Sequence, residues 1–287
     1  MAGLPGIMIG RNADLVWGLT NLGGDVSDLV VEKNVGENFY QRDGRCLAYQ
    51  TRTETIRVAG GEDVEIRVRT SVHGPVVSGL LAPDEQFRPV PGASENLSVA
   101  LQWTALMPDK TGESFFALGR ATNAEDVSAA AALMANPAEN ILFTTASGDI
   151  GYQAPGKYPV RPVKAPADGR GGCRPRGGQP GADGRVPAGA PAKIGRSSTP
   201  PSGMPVVLNP ADGIIVPANQ PITPEASGPY LGSHYVAGYR SQQMYDAIAQ
   251  LAAQGPVTLE EAPKIMLLDG TAGPGARPRP DRGGAER

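Results

Sequence analysis

The first 160 residues read mostly as strands, with apolar and polar positions alternating in period two from Glu54 to Val58 and from Val64 to Val68, the mark of half-buried strands. Ile7 to Ile9 and Leu15 to Trp17 flank a turn at Asn12-Ala13-Asp14, and Phe39 to Gln41 and Cys46 to Gln50 flank Asp43-Gly44, a strong hairpin signal. Glu54 to Val58 and Val64 to Val68 alternate around Gly60-Gly61, Leu97 to Trp103 makes a further strand, and Ile141 to Thr145 faces Ile150 to Gln153 across Ser147-Gly148. The pattern predicts a meander of antiparallel hairpins.

Helical spacing is rarer. Asn123 is placed to cap a helix from Ala124 to Ala135, which Asn136-Pro137 ends. Tyr239 to Ala253 carries Met244, Ile248 and Leu251 on one stripe, with Gly255 just past its end. Thr258-Leu-Glu-Glu261 reads as a capping box opening a last short helix through Leu268. Val206 to Leu208 and Ile214 to Pro217 bracket the turn cluster Asn209-Pro-Ala-Asp-Gly213. Strands followed by helices, without an internal repeat, predict an α+β layered domain with a large antiparallel sheet.

Charge and cysteine content narrow the function classes. Lys and Arg number 26 against 29 Asp and Glu, a net charge of −3, so nothing electrostatic points to nucleic acid or an anionic membrane as partner. No apolar run reaches the roughly 18 residues of a membrane helix, and the first ten residues lack the basic start and apolar centre of a secretory signal. Cys46 and Cys173 lack the spacing of a zinc site and read as unpaired thiols.

Glycine (38) and proline (28) are spread unevenly. Ala165 to Gly203 holds 10 Gly and 7 Pro with no aromatic residue, and the tail from Gly270 to Arg287 has the same character. Such segments cannot bury enough surface to offset their ordering entropy and read as irregular. The chain thus divides into a β-rich part over 1–164, an irregular segment over 165–203, a turn-and-helix part over 204–268 and a tail over 269–287.

Periodicity names no activity, but a series of motifs does. Gly3-Leu-Pro-Gly-Ile-Met-Ile-Gly-Arg-Asn12 runs into Trp17-Gly-Leu-Thr-Asn21, Gly24-Asp25-Val-Ser-Asp28 and Glu32. Arg69-Thr-Ser-Val-His-Gly-Pro75, Gln102-Trp103-Thr104, Ser147-Gly-Asp-Ile-Gly-Tyr152 and Gly156-Lys-Tyr-Pro-Val-Arg161 follow. Asn209-Pro210, Ala218-Asn219-Gln220-Pro221 and Gly238-Tyr239-Arg240 complete the series. In order and spacing these resemble the β-chain of the penicillin acylase family, amidases of the N-terminal nucleophile hydrolase superfamily. The resemblance implies an incomplete form of that layered αββα framework. Its activity would be deacylation of N-acyl compounds such as β-lactam side-chain amides or acyl-homoserine lactones.

The family's nucleophile is a Ser at the mature N-terminus of the β-chain, activated by its own α-amine, usually through a water. Here Met1 and Ala2 carry no nucleophile, and the family's Ser is expected upstream of the Gly-Leu-Pro-Gly segment. The resemblance therefore implies a fragment that needs the family's α-chain as partner and is inactive alone. It assigns the oxyanion donors to the backbone N–H of Asn21 and the side-chain amide of Asn219, and places Arg240 near the nucleophile. A cation in the first turn of a helix is electrostatically poor, which argues for a specific carboxylate partner or a site role.

Asp25, the carbonyl of Ser27 and Asp28 match the family's calcium loop, with the Pro159 carbonyl as a further ligand. Carboxylates and main-chain oxygens suit a hard ion taking about 6 to 8 oxygens, so the expectation is a structural Ca²⁺. The Asp expected about ten residues after Asn219 is absent, since Ala226 to Tyr230 reads Ala-Ser-Gly-Pro-Tyr. Family members are commonly periplasmic or secreted.

Rival readings stand beside this one. A non-catalytic β-rich binding module would keep the same framework. A free-standing serine hydrolase using His73 or His234 would need a nucleophile elbow such as G-x-S-x-G, and none occurs. His73 falls instead in a framework strand end, Val72-His-Gly-Pro75. The Ala165 to Gly203 segment departs from the family's aromatic-containing turn and is read as a local frame error in GC-rich coding sequence, open to resequencing.

Overall fold

The computed structural model describes residues 6–80, 97–160, 203–223, 229–232, 235–258, 260–261 and 263. Ala165 to Ser202, the tail, Cys173 and His234 lie outside the described residues. Two compact units are interleaved along the chain: 1–25 with 109–156 and 200–287, and 26–108 with 157–199.

The first unit is built on a five-stranded antiparallel sheet in the order β1-β2-β10-β11-β12. Its strands are β1 (Gly10–Arg11), β2 (Leu15–Asn21), β10 (Glu139–Thr145), β11 (Ile150–Gln153) and β12 (Val206–Leu208). Register pairs Trp17 with Phe143 and Leu19 with Ile141. Side chains alternate across a strand, so Leu15, Trp17, Ile141 and Phe143 share one face. Helices α1 (Thr111–Arg120) and α2 (Ala124–Leu133) cover that face through Phe115, Leu118, Val127, Ala130 and Ala131. Small residues let the helices approach: Ser114, fully buried, donates its hydroxyl to the Ala130 carbonyl at 2.8 Å.

Gly151 is required by its neighbour. It stands opposite Phe143 in the β10–β11 register, and a Cβ there would meet the phenyl ring at 2.1 Å. The ring lies where a side chain would otherwise stand. Asn209 then latches β12 to this hairpin: its Oδ1 accepts from the Ile150 N–H at 2.9 Å and its Nδ2 donates to Asp149 at 2.8 Å. Hydrogen bonds from Asn209, Ser147 and Thr145 hold the Asp149 carboxyl below the usual carboxylate range.

The second unit contains β3 (Ser27–Val35), β4 (Phe39–Arg42), β5 (Arg45–Ala48), β6 (Gln50–Ile56), β7 (Val64–Ser71), β8 (Gly74–Pro75) and β9 (Leu97–Trp103). They form a four-stranded sheet, β5-β4-β3-β9, and a three-stranded one, β6-β7-β8, both antiparallel. Buried polar residues organise this unit. Tyr40 and Tyr49 pack with ring centres 4.7 Å apart, Tyr49 donates to Asn34 at 2.8 Å, and the Arg69 guanidinium lies 5.1 Å from the Tyr49 ring centre. Burial pushes the Tyr49 hydroxyl up to about 12.

Mixed helices and antiparallel sheets make an α+β fold, as the pattern predicts, and the described strands fall in three sheets, the largest of five strands. The hairpins around Asp43-Gly44, Gly60-Gly61 and Ser147-Gly148 form at the expected positions. Asn123 caps α2 by accepting from the Asp126 N–H at 2.9 Å. Thr258 and Glu261 make the expected capping-box contact, Thr258 N–H to Glu261 Oε2 at 2.9 Å, while most of the helix beyond falls outside the described residues.

Two expectations are corrected. The first strand is Gly10–Arg11, not Ile7 to Ile9, because Asn12 draws the turn onto itself by accepting from the N–H groups of Asp14 and Leu15. Cys46 is disulfide-bonded, not an unpaired thiol.

Candidate active site

β2 ends at Asn21, and its last residues run beside the start of β10. The Leu22 N–H donates to the Ala138 carbonyl at 3.3 Å. Antiparallel strands alternate bonded and non-bonded pairs, so Asn21 opposite Glu139 is a non-bonded pair, and its N–H and carbonyl make no main-chain bond to β10. The Asn21 carbonyl accepts the Asn219 side-chain amide at 2.5 Å.

Asn219 sits in a turn that fixes it. Its φ is 65°, in the left-handed region, a conformation Asn tolerates better than most residues. Gln220 braces the turn from both sides, accepting from the Ala218 N–H at 2.6 Å and donating to the Val216 carbonyl. The Asn219 carbonyl accepts from the Val236 N–H at 2.9 Å.

Helix α3 (Tyr239–Ala252) brings Arg240 onto the same turn. Arg240 Nη2 donates to the Ala218 carbonyl at 2.7 Å and to Asn219 Oδ1. A guanidinium only donates and a peptide carbonyl only accepts, so the Asn219 amide has one workable orientation: Oδ1 toward Arg240, Nδ2 toward Asn21. One hydrogen of Nδ2 is used on Asn21. The second is a fixed donor.

The structure thus gathers Asn21, Asn219 and Arg240 into one hydrogen-bonded chain. Among the described residues the partners of Arg240 are two neutral oxygens, so of the two alternatives, a carboxylate partner or a site role, no carboxylate is seen. Arg240 Nε is buried and has no hydrogen-bond partner among the described residues.

Close approach of a second segment shapes this region. The Asp25 N–H donates to the Leu231 carbonyl at 2.7 Å, and Tyr230 donates to Asp25 Oδ2 at 3.2 Å. Gly232 has φ 155°, and a Cβ on it would lie 3.2 Å from the Gly23 carbonyl oxygen. Leu231 is buried between them in sequence. Burial raises the Tyr235 hydroxyl above its usual range, with Tyr230 and Asp25 adding to the effect.

Sequence reading passed over three polar groups here. Asn140, 1% exposed, donates to Thr20 Oγ1 at 3.0 Å and to the Asn21 carbonyl at 3.2 Å. Tyr152 donates to Asn140 Oδ1 at 2.6 Å, and burial raises its hydroxyl above the usual range. Glu139, opposite Asn21, has its carboxyl raised by burial.

Of the calcium residues, Asp25 belongs to one compact unit, and Ser27, Asp28 and Pro159 to the other. Among the described residues no group of three or more His, Cys, Asp or Glu is placed to hold a metal ion. Two carboxylates and two main-chain oxygens fall short of the 6 to 8 oxygens calcium takes, so no step is routed through it. His73 is buried framework: Nδ1 faces Glu32 Oε1 at 2.6 Å and Nε2 faces Arg42 Nη1 at 2.5 Å. Since Arg42 only donates, the His73 proton sits on Nδ1, and neither ring nitrogen is open to a serine.

The sequence profile of penicillin amidase matches residues 1–280. The chain belongs to the penicillin amidase family. An acyl-homoserine lactone acylase QuiP of Pseudomonas fluorescens is 31% identical over 258 residues, covering 89% of this chain and 28% of that protein. Penicillin G acylase of Escherichia coli is 27% identical over 164 residues, 56% of this chain and 17% of its own. Among solved structures, a thermostable penicillin G acylase from Alcaligenes faecalis superposes with a TM-score of 0.66 over 92% of this chain and 42% of its own, at 20% identity, a likeness of fold. This member of the penicillin amidase family therefore spans less than a third of the length of these two curated relatives.

Proposed function

We propose that this chain supplies the oxyanion-stabilising part of an acylase that hydrolyses the amide bond of N-acyl compounds, acyl-homoserine lactones or β-lactam side-chain amides among them. The carrying observation is the convergence of Arg240, Asn219 and Asn21, which leaves one Asn219 amide hydrogen without a partner among the described residues. The names of the relatives support the substrate class.

The chemistry follows from what these groups can do. When a nucleophile adds to an acyl carbonyl, its oxygen gains negative charge, and donors already in place stabilise that charge without reorganising. Asn219 Nδ2 and the Asn21 N–H are the donors. Arg240 prevents the Asn219 amide from turning over, and its positive charge favours the developing anion. The gathered residues supply donors and no group that attacks a carbonyl. In this proposal the nucleophile is a serine bearing a free α-amine, on a segment outside these 287 residues. Its amine takes the hydroxyl proton through a water and returns it to the departing amine, while the acyl group passes to the serine and then to water.

The test uses two preparations, the 287-residue chain and the product of a longer reading frame that encodes the upstream segment. Amine release from an N-acyl-homoserine lactone or a phenylacetyl amide is expected from the longer product alone. In it, Asn219→Ala lowers kcat by about 10²- to 10³-fold. Turnover by the short chain, or full turnover by the Asn219 variant, overturns the proposal.

A further inference from the structure

The buried pair Asn140 and Tyr152 reaches the candidate oxyanion site through the Asn21 carbonyl; Tyr152 closes the Ser147-Gly-Asp-Ile-Gly-Tyr152 motif, and Asn140 belongs to none of the motifs. Asn140 is fully committed: one amide hydrogen goes to Thr20 Oγ1, the other to the Asn21 carbonyl, and Oδ1 takes the Tyr152 hydroxyl. Its orientation is unambiguous, because the Asn21 carbonyl can only accept and therefore selects the nitrogen end of the amide. Both of its donor contacts bracket one peptide unit, the Thr20–Asn21 linkage. The N–H of that linkage is the backbone donor of the proposed site.

We infer that Asn140 is a positioning residue for the Asn21 N–H, held in orientation by Tyr152. The inference rests on the function proposed above and deepens it. Three features carry it. Asn140 lies on β10, in the middle of the five-stranded sheet, so it ties the donor to a strand paired on both sides. The Asn21 carbonyl receives two amide groups from opposite directions in sequence, Asn140 from β10 and Asn219 from the turn before α3, which together fix the Asn21–Leu22 peptide unit and so hold the residue whose N–H is the proposed donor. Tyr152 reaches Asn140 from β11, with its hydroxyl removed from water, so the Tyr–Asn contact is shielded from competing solvent. A purely architectural asparagine in this sheet would need only Thr20 and Tyr152; the contact with Asn21 couples it to the site.

A displaced donor lowers rate more than binding, because the oxyanion exists only after attack. In the longer product, Asn140→Ser and Tyr152→Phe are each expected to lower kcat by about 10- to 100-fold with KM held within about twofold. Tyr152→Phe removes one hydroxyl without changing shape, so it carries the test if Asn140→Ser does not fold. In the 287-residue chain with ¹⁵N-labelled asparagine, Tyr152→Phe is expected to shift the Asn21 backbone amide resonance and leave that of Asn123 in place. Asn219→Ala is run alongside. If Asn219→Ala abolishes turnover while Tyr152→Phe keeps full kcat or an unmoved Asn21 resonance, the positioning role is overturned and the site stands. If Asn219→Ala keeps turnover, the site reading falls and this inference falls with it.

Discussion

The Arg240 guanidinium faces Asn219 Oδ1, and through that contact a charged residue on a helix decides which end of an amide faces the candidate site. Arg240 also holds the Ala218 carbonyl, so it grips the turn at two successive residues. A lysine offers a single point charge in place of a planar fork. Arg240→Lys is expected to broaden the Asn219 side-chain amide resonances in a ¹⁵N correlation spectrum while leaving the melting temperature within a few degrees. An Asn219 signal as sharp as in the parent would show that the fork is dispensable.

Glu139 makes stability depend on pH. Burial raises its folded-state pKa above the ordinary carboxylate value, so the fold favours the protonated form. The associated stability is fully present below the unfolded-state pKa and is lost as pH rises through the folded-state value. Glu139→Gln keeps the neutral shape at every pH. Its melting temperature is expected to equal that of the parent in acid and exceed it at pH 7; equal values across that range would contradict the assignment.

Much of the framework is legible in the sequence because its cause is local. Asp43-Gly44 and Ser147-Gly148 specify hairpins through turn chemistry, and Asn123 specifies the start of α2 through one side-chain acceptor. Elements whose cause is distant escaped. β3 mixes apolar and charged residues because Glu32 and Asn34 are buried against His73 and Tyr49, partners far along the chain. α1 carries Gly112 and Gly119, poor helix formers, and is stabilised by packing on α2. In the site, motif resemblance singled out Asn21, Asn219 and Arg240. Asn140 was invisible because its role is defined by a main-chain oxygen on another strand.

Gly151 offers a clean test of packing. Adding a methyl group forces the Phe143 ring off its seat between the sheet and the helices. Gly151→Ala is expected to cost about 1 to 3 kcal/mol in urea unfolding. Gly79→Ala, where a Cβ meets nothing within 4 Å, serves as the control and should change little.

His73 separates framework from catalysis. Its removal leaves the Glu32 carboxylate, 3% exposed, without its imidazole partner. His73→Ala is expected to cost about 3 kcal/mol of stability. Reactivity toward a fluorophosphonate should be absent both before and after the change, and labelling of any serine in the parent chain would restore the serine-hydrolase alternative.

The proposed donor at position 21 belongs to the polypeptide backbone, and the Asn21 side chain only closes a local turn by accepting from the Gly23 N–H. An alanine scan would therefore score that position as silent, and a catalogue of important letters would omit it. Exposing its contribution takes chemistry on the linkage itself, an ester in place of the Thr20–Asn21 amide, which deletes one hydrogen and leaves every side chain as it was.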